Sequence, residues 1–368
     1  MRPLRIGVNA LYLIPGAVGG TEIYLRNLLQ SLGEIDAENQ YFLFTNRETG
    51  PLLGPGQVNF HVVEQPVRAA FRPARILWEQ TALPLSVAAH RIDVLLNPGF
   101  TAPLVCGCPQ VTVFHDLQHK RHPEHFRWFD LPFWQFFLFW SAHLSQIVIA
   151  DSAATGADLE WFYRLPTPKI RVVPLGVDPK FFPIAKARRP EPMLLAVSTL
   201  HPHKNLDRLM HAFAVFHRKR PRFRLVITGL RGFHSVNLER LRDELDLAAA
   251  VEFTGWIPRE ELYDLYARAW AFLYPSTFEG FGLPVLEALA AGVPTACSRI
   301  EPLGSIAGSA ALHFDPDNDA AILDAMDRLV SDERLREKLA AAGPERASQF
   351  SWLTTARQTL AALGQAAP

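Results

Sequence analysis

Two glutamates, Glu279 and Glu287, stand with seven residues between them in the segment YPSTFEGFGLPVLEALAAGVP, Tyr274 to Pro294. A strand pattern over 271–274 runs into a loop holding Gly280 and Gly282, and a helix pattern opens near Leu283. Glycine lets backbone approach a ligand closely, and the N–H groups of such a loop and helix start make an anion site. Two carboxylates beside that site would repel phosphate unless they face other groups. Sugar hydroxyls suit them, because an ionised carboxylate accepts hydrogen bonds from them. The blander alternative makes Glu279 a loop charge and Glu287 a solvated helix residue. Leu286, Ala288, Leu289 and Ala290 around Glu287 argue against a solvated face.

Lys204 lies in AVSTLHPHKNLDRLM, Ala196 to Met210, between a strand end and a helix that Asn205 is expected to cap. A lysine beside a helix N-terminus offers a cation suited to diphosphate; the alternative is a surface lysine. His115 directly follows the strand pattern of VTVFHDLQH. There it could hydrogen-bond a sugar or position an acceptor, or be a structural histidine, with Asp116 orienting the ring or serving the fold. GAVGGTEIYLRNLL, Gly16 to Leu29, places glycines between the first strand and first helix, as in a phosphate-binding turn, with Glu22 as a first-turn charge.

Metal chemistry finds little support. DPDND, Asp315 to Asp319, has DxD spacing but precedes a helix, where aspartate caps. Cys106-Gly-Cys108 has neither CxxC nor zinc spacing. No metal or other cofactor is expected.

Positioning such residues takes strands alternating with helices. Strand patterns fall at 6–10, 41–45, 58–63, 94–96, 111–114 and 147–150, then at 193–197, 224–228, 251–253, 271–274, 294–297 and 311–314. Helix patterns include 21–32, capped by Thr21, then 206–216, 283–291, 320–330 and 333–342. Short apolar strands alternating with helices imply parallel sheets covered on both faces. A proline-rich, basic stretch near 175–192 separates the two series. Two doubly wound domains are therefore expected, 1–178 and 190–350, with 351–368 a C-terminal helix returning to the first. Ligands of such sheets bind at strand carboxyl ends, so the site is expected in the cleft between the domains.

The 368 residues suit two domains, and 49% apolar with 20% charged composition suits a sizeable core. Zero formal net charge removes any global pull toward nucleic acid. Three cysteines suit a reducing cytosol. The run 131–150 is interrupted by His143, Ser145 and Gln146, so no span of about 20 apolar residues exists. The aromatic segment FRWFDLPFWQFFLFW, 126–140, is either a core helix or a membrane-interface face, with Arg121 and Arg127 suited to lipid headgroups.

The 274–294 segment resembles the EGFGLPxxEA signature of family 4 retaining glycosyltransferases, which have the GT-B fold of two Rossmann-like domains facing across a cleft. The 196–210 segment is similar to that family's GTLxPRKN stretch, and Gly19 and Gly20 match its N-terminal GGxExYxxxLL loop. VTVFHD resembles its strand-then-His-Asp segment. Weaker likenesses, including WEQTALP, ADSAAT, VVPLGVD and FTGWIP, extend over nearly the whole chain.

The resemblance implies that Glu279 contacts donor-sugar hydroxyls and Glu287 holds the ribose. It implies that the amides of Phe281, Gly282 and Leu283 meet the sugar or β-phosphate, and that Lys204 neutralises the leaving diphosphate. Gly19 and Gly20 would border the donor phosphate, with His115 acting from the other domain. Where the family carries arginine this chain has His203, or earlier Ser198-Thr199. The second cation is then a protonated His203 or an arginine from elsewhere, such as Arg231. The implied function is transfer of a hexose from a nucleotide-diphosphate sugar to a saccharide or lipid-linked acceptor. GDP-mannose is the first-choice donor and UDP-hexose the second. A non-catalytic nucleotide-sugar binder and a 2-epimerase on the same fold are the alternatives. Apart from the resemblance, the cysteine usage points to a cytoplasmic location, and the aromatic segment leaves open a peripheral contact at the inner face of the membrane.

Overall fold

The computed structural model describes residues 2–16, 19–51 and 53–368. The chain divides into two compact units, 1–176 with 352–368, and 177–351. The first carries seven parallel strands: β1 (Arg5–Asn9), β2 (Gln40–Thr45), β3 (Phe60–Glu64), β4 (Val94–Asn97), β5 (Gln110–Phe114), β6 (Ile147–Ala150) and β7 (Ile170–Val172). Their order is β3-β2-β1-β4-β5-β6-β7. Strands β4, β5 and β6 are buried along their whole length, as sheets covered on both faces require. The last helix, Trp352–Ala366, packs on the first, Gly20–Ile35, with Trp352 edge-on to Tyr24 at 6.1 Å.

The second unit repeats the plan with β8 (Met193–Val197), β9 (Arg224–Thr228), β10 (Val251–Gly255), β11 (Ala271–Tyr274), β12 (Thr295–Ser298) and β13 (Leu312–Phe314), ordered β10-β9-β8-β11-β12-β13. In both sheets the order reverses beside the first strand. That makes a switch point between β1 and β4 and another between β8 and β11, where loops diverge and leave a crevice. Leu209, Phe213 and Phe216 of the helix Leu206–Lys219 pack with Ile322 and Met326 against β8 and β9.

Several local expectations fail for identifiable reasons. Val58 is exposed and the strand starts at Phe60, because buried Asn59 turns its amide to the carbonyls of Asp36 and Asn39. Thr21 caps nothing. The first helix opens after Gly19, at φ 60°, without a side-chain cap. Glu22 is a first-turn charge, accepting from the Gly16 amide and pairing with Arg26. Ala17 and Val18 of that glycine-rich stretch lie outside the described residues. Asn205 does not cap with its side chain either. At φ 56° it tolerates a left-handed turn, and its amide bonds the carbonyls of Pro275 (3.1 Å) and Pro316 (2.8 Å). The aromatic helix, Leu131–Leu144, is not a core helix. Only Leu138, Ser141 and Ala142 are buried. No helix among the described residues is long and apolar enough to cross a membrane.

Candidate functional site

Lys204 and Glu279 are 75 positions apart in sequence and joined in space. Each follows a strand of the switch-point pair, and β8 lies beside β11 with Leu195 opposite Phe272. The lysine sits at the end of a single 3-10 turn, Pro202–Lys204, and the glutamate in the loop after β11. Lys204 Nζ donates to Glu279 Oε1 at 2.7 Å and to the Tyr274 hydroxyl at 3.2 Å. The side chains are only 12% and 10% exposed, so the pair is weakly screened. Burial, with Glu279 next to it, keeps the Tyr274 phenol protonated far above its ordinary range.

His203 acts on this site through its backbone. Its carbonyl accepts from the Thr277 amide (2.8 Å) and the Ser276 hydroxyl (3.0 Å), which ties the two loops together. Its ring is buried and stacks on His201 at 5.8 Å. Ser198 is buried, and its hydroxyl bonds to no described residue. Gly229, at φ 145°, passes so close to Ser198 that a Cβ would lie 2.1 Å from the Ser198 carbonyl oxygen. Arg231 is mostly exposed and pairs with Glu239 at 2.7 Å.

The helix Leu283–Ala290 starts at Gly282, φ 115°, where a Cβ would meet Leu303 Cδ2 at 2.4 Å. Pro284 occupies the first turn, where a missing N–H costs nothing. The Val285 and Leu286 amides bond the Gly282 carbonyl, so the amides of Phe281, Gly282 and Leu283 precede the helix's own bonding. Phe281 is buried against Phe350 at 6.0 Å. The helix closes with the Gly292 amide on the Leu289 carbonyl and the Val293 amide on that of Ala288, a Schellman motif.

Glu287 is buried in this helix, and burial pushes its carboxyl above the ordinary glutamate range against the pull of Arg259. Arg259 donates to Oε1 at 3.0 Å and the Tyr266 hydroxyl to Oε2 at 3.2 Å. Arg259 also reaches Asp178 Oδ2 at 3.1 Å, which accepts from Tyr263 at 2.5 Å. Two carboxylates thus share one guanidinium. Sequence reasoning missed Arg259. The signal was there in WIPREELYDLYAR, which puts Arg259, Tyr263 and Tyr266 on one helical face by steps of four and three.

His115 lies in the other unit, after β5, and is enclosed. Its Nδ1 meets Asp151 Oδ2 at 2.6 Å and its Nε2 the Pro98 carbonyl at 2.9 Å. Tyr24 and Phe100 stand edge-on to the ring at 4.9 and 5.0 Å. The ring's orienting carboxylate is Asp151, whereas Asp116 accepts from the Gln118 amide. Burial alone would lower the His115 pKa, but the charge and hydrogen bond of Asp151 win and raise it. Both ring nitrogens face acceptors, so the imidazolium is the form this pocket fits, and a general-base role requires one of those bonds to open. The stabilisation it brings is complete below about 6.5, the unfolded value, and is lost as pH rises through the raised folded value. Asp151→Asn should bring the His115 pKa down, read from the Cε1–Hε1 NMR titration; an unmoved midpoint would refute this account of the ring.

DPDND serves the fold, through a different residue from the one expected. Asn318 caps the helix Asp319–Ser331, Asp315 accepts from the Asp317 amide, and Asp319 pairs with Arg208 at 2.7 Å.

Two doubly wound parallel sheets in one chain define a protein of the GT-B fold. Residues 177–346 match the family described as glycosyl transferases group 1, and residues 18–181 match glycosyltransferase family 4. The chain is 30% identical over 262 residues to the O-antigen chain mannosyltransferase B of Escherichia coli, covering 68% of each. It is 29% identical over 279 residues to an MMP α-(1→4)-mannosyltransferase of Mycolicibacterium hassiacum, covering 72% of this chain and 67% of that one. Among solved structures, sucrose-phosphate synthase from Thermosynechococcus elongatus superposes with TM-score 0.81 at 22% identity over 98% of both chains. Anabaena HepE, in complex with UDP and glucose, superposes with TM-score 0.76 at 20% identity over 98% of this chain and 100% of that one. The chain belongs to the family 4, group 1 glycosyltransferases, and it is a glycosyltransferase.

Proposed function

We propose that this enzyme transfers mannose from GDP-mannose to a hydroxyl of a saccharide or lipid-linked saccharide, with retention at the anomeric carbon. The observation that carries the donor reading is the buried Lys204–Glu279 pair at the β8–β11 switch point, in the same unit as the amide-lined start of the helix at Gly282. Lys204 and the amides of 281–283 would take the charge developing on the diphosphate, and Glu279 would orient the sugar through its hydroxyls. Glu287, paired with Arg259, would hold the ribose. The Ser198 hydroxyl, buried without a partner among the described residues, supports a polar ligand group there. No enzymatic nucleophile is assigned, so the departing phosphate would serve as base for attack on the same face. UDP-hexose is the second-choice donor, in keeping with HepE, whose solved complex holds UDP and glucose.

The mannosyl choice rests on the O-antigen and MMP mannosyltransferases among the relatives. The test is proton NMR of the product made from GDP-mannose and a mannose-terminated saccharide. An α-anomeric product is expected. A β-product would overturn retention, and turnover of UDP-hexoses with none of GDP-mannose would overturn the donor.

A further inference from the structure

Nine aromatic side chains are exposed among the described residues, and five of them fall between 128 and 140: Trp128, Phe129, Phe133, Phe136 and Trp140. Within the helix Leu131–Leu144, Phe133, Phe136, Trp140 and Leu144 recur at steps of three, four and four, which is one face. Phe136 is 50% exposed and Trp140 41%. The helix contains no Asp, Glu, Lys or Arg, and its opposite side, Leu138, Ser141 and Ala142, is already buried on the sheet. A helix apolar on every side is normally enclosed, yet half of this one faces outward.

We propose that this face docks on the surface of an anionic lipid bilayer. At about 1.5 Å per residue the helix spans about 21 Å, too short to cross a bilayer, so it would lie in the interface plane. Trp and Phe are the side chains that partition there. Cations outnumber acids beside the stripe: Lys120, Arg121 and Arg127 precede it with Glu124 and Asp130 among them, and the Arg72 guanidinium sits 3.9 Å from the Trp134 ring centroid. Arg127 stacks at 6.0 Å over Phe129 and has no carboxylate partner among the described residues, which leaves its charge for a headgroup. Arg121, by contrast, is paired with Asp158. This charge pattern favours anionic lipid over a second copy of the chain, whose identical rim would bring cation against cation. The inference is independent of the donor assignment.

The test is co-sedimentation of the purified full chain with vesicles of phosphatidylcholine alone and of phosphatidylcholine with phosphatidylglycerol. Stronger partition onto the anionic vesicles is expected, falling about tenfold or more in the triple variant Phe133→Ser, Phe136→Ser, Trp140→Ser. A second variant, Arg127→Glu, should weaken binding to the anionic vesicles and leave binding to phosphatidylcholine unchanged. It keeps the test decisive if the triple variant melts early. No binding by the wild type, or equal binding by both variants, overturns the proposal. So does a concentration-dependent dimer in analytical ultracentrifugation that the triple variant abolishes.

Discussion

Lys204→Ala should lower kcat by about a hundred- to a thousandfold, the range found when one preorganised charge is removed from a developing anion. Two effects contribute and can be separated. The first is loss of the cation that would meet the leaving diphosphate. The second is structural: Glu279 would be left nearly buried without its 2.7 Å partner. Removing one member of a buried pair costs about 3–5 kcal/mol even before any ligand is present. Thermal melting of the unliganded variant reads the second effect, and kcat at saturating donor reads the first. Lys204→Ala with Glu279→Gln should recover much of the lost melting temperature and still turn over far more slowly than Glu279→Gln alone. If the double variant turns over as fast as Glu279→Gln alone, Lys204 is a structural residue.

Glu287→Ala should weaken nucleoside diphosphate binding by at least about tenfold, the worth of one charge-assisted hydrogen bond. The pH dependence is the sharper signature, because folding and binding move in opposite directions. Burial raises the Glu287 pKa above the ordinary glutamate value despite Arg259. An acid raised in the folded state contributes stability that is present at low pH and lost as pH rises through its folded pKa. Ribose recognition needs the carboxylate, so affinity should instead improve as pH rises through that same value. Glu287→Gln should flatten this rise in calorimetric titrations with GDP. An unchanged pH profile would remove Glu287 from the nucleotide site and leave it as the counter-charge of Arg259.

The residues with unusual neighbours were the legible ones. Glu287 among Leu286, Ala288 and Leu289 announced a buried acid, and it is buried. The strand–loop–helix order around Gly282 announced a helix start that only glycine allows, and the structure places φ at 115° there. The plan of two parallel sheets, each covered on both faces, followed from short apolar runs alternating with helices. What escaped was pairing over distance. Nothing in either segment says that Lys204 binds Glu279; the β8–β11 adjacency does that, and strand order is a tertiary property. Arg259 escaped because its stripe with Tyr263 and Tyr266 looks like any half-buried helix until two acids are found beneath it. His115 was legible as a residue at a strand end but not as an enclosed one, since Asp151 and Pro98 reach it from β6 and β4 loops. Asn205 and Thr21 mark the limit of capping rules. Asn205 turns its side-chain amide to two distant loops, and Thr21 lies inside a helix that opens after Gly19.

The central claim is that the donor diphosphate sits on the Lys204 loop and the Gly282 helix start of the second unit. Hydrogen–deuterium exchange of the wild-type protein, with and without GDP, tests it most directly. Slowed exchange confined chiefly to 198–205 and 276–288 is expected. No change in either segment while GDP binds, or protection appearing only in the first unit, would contradict it.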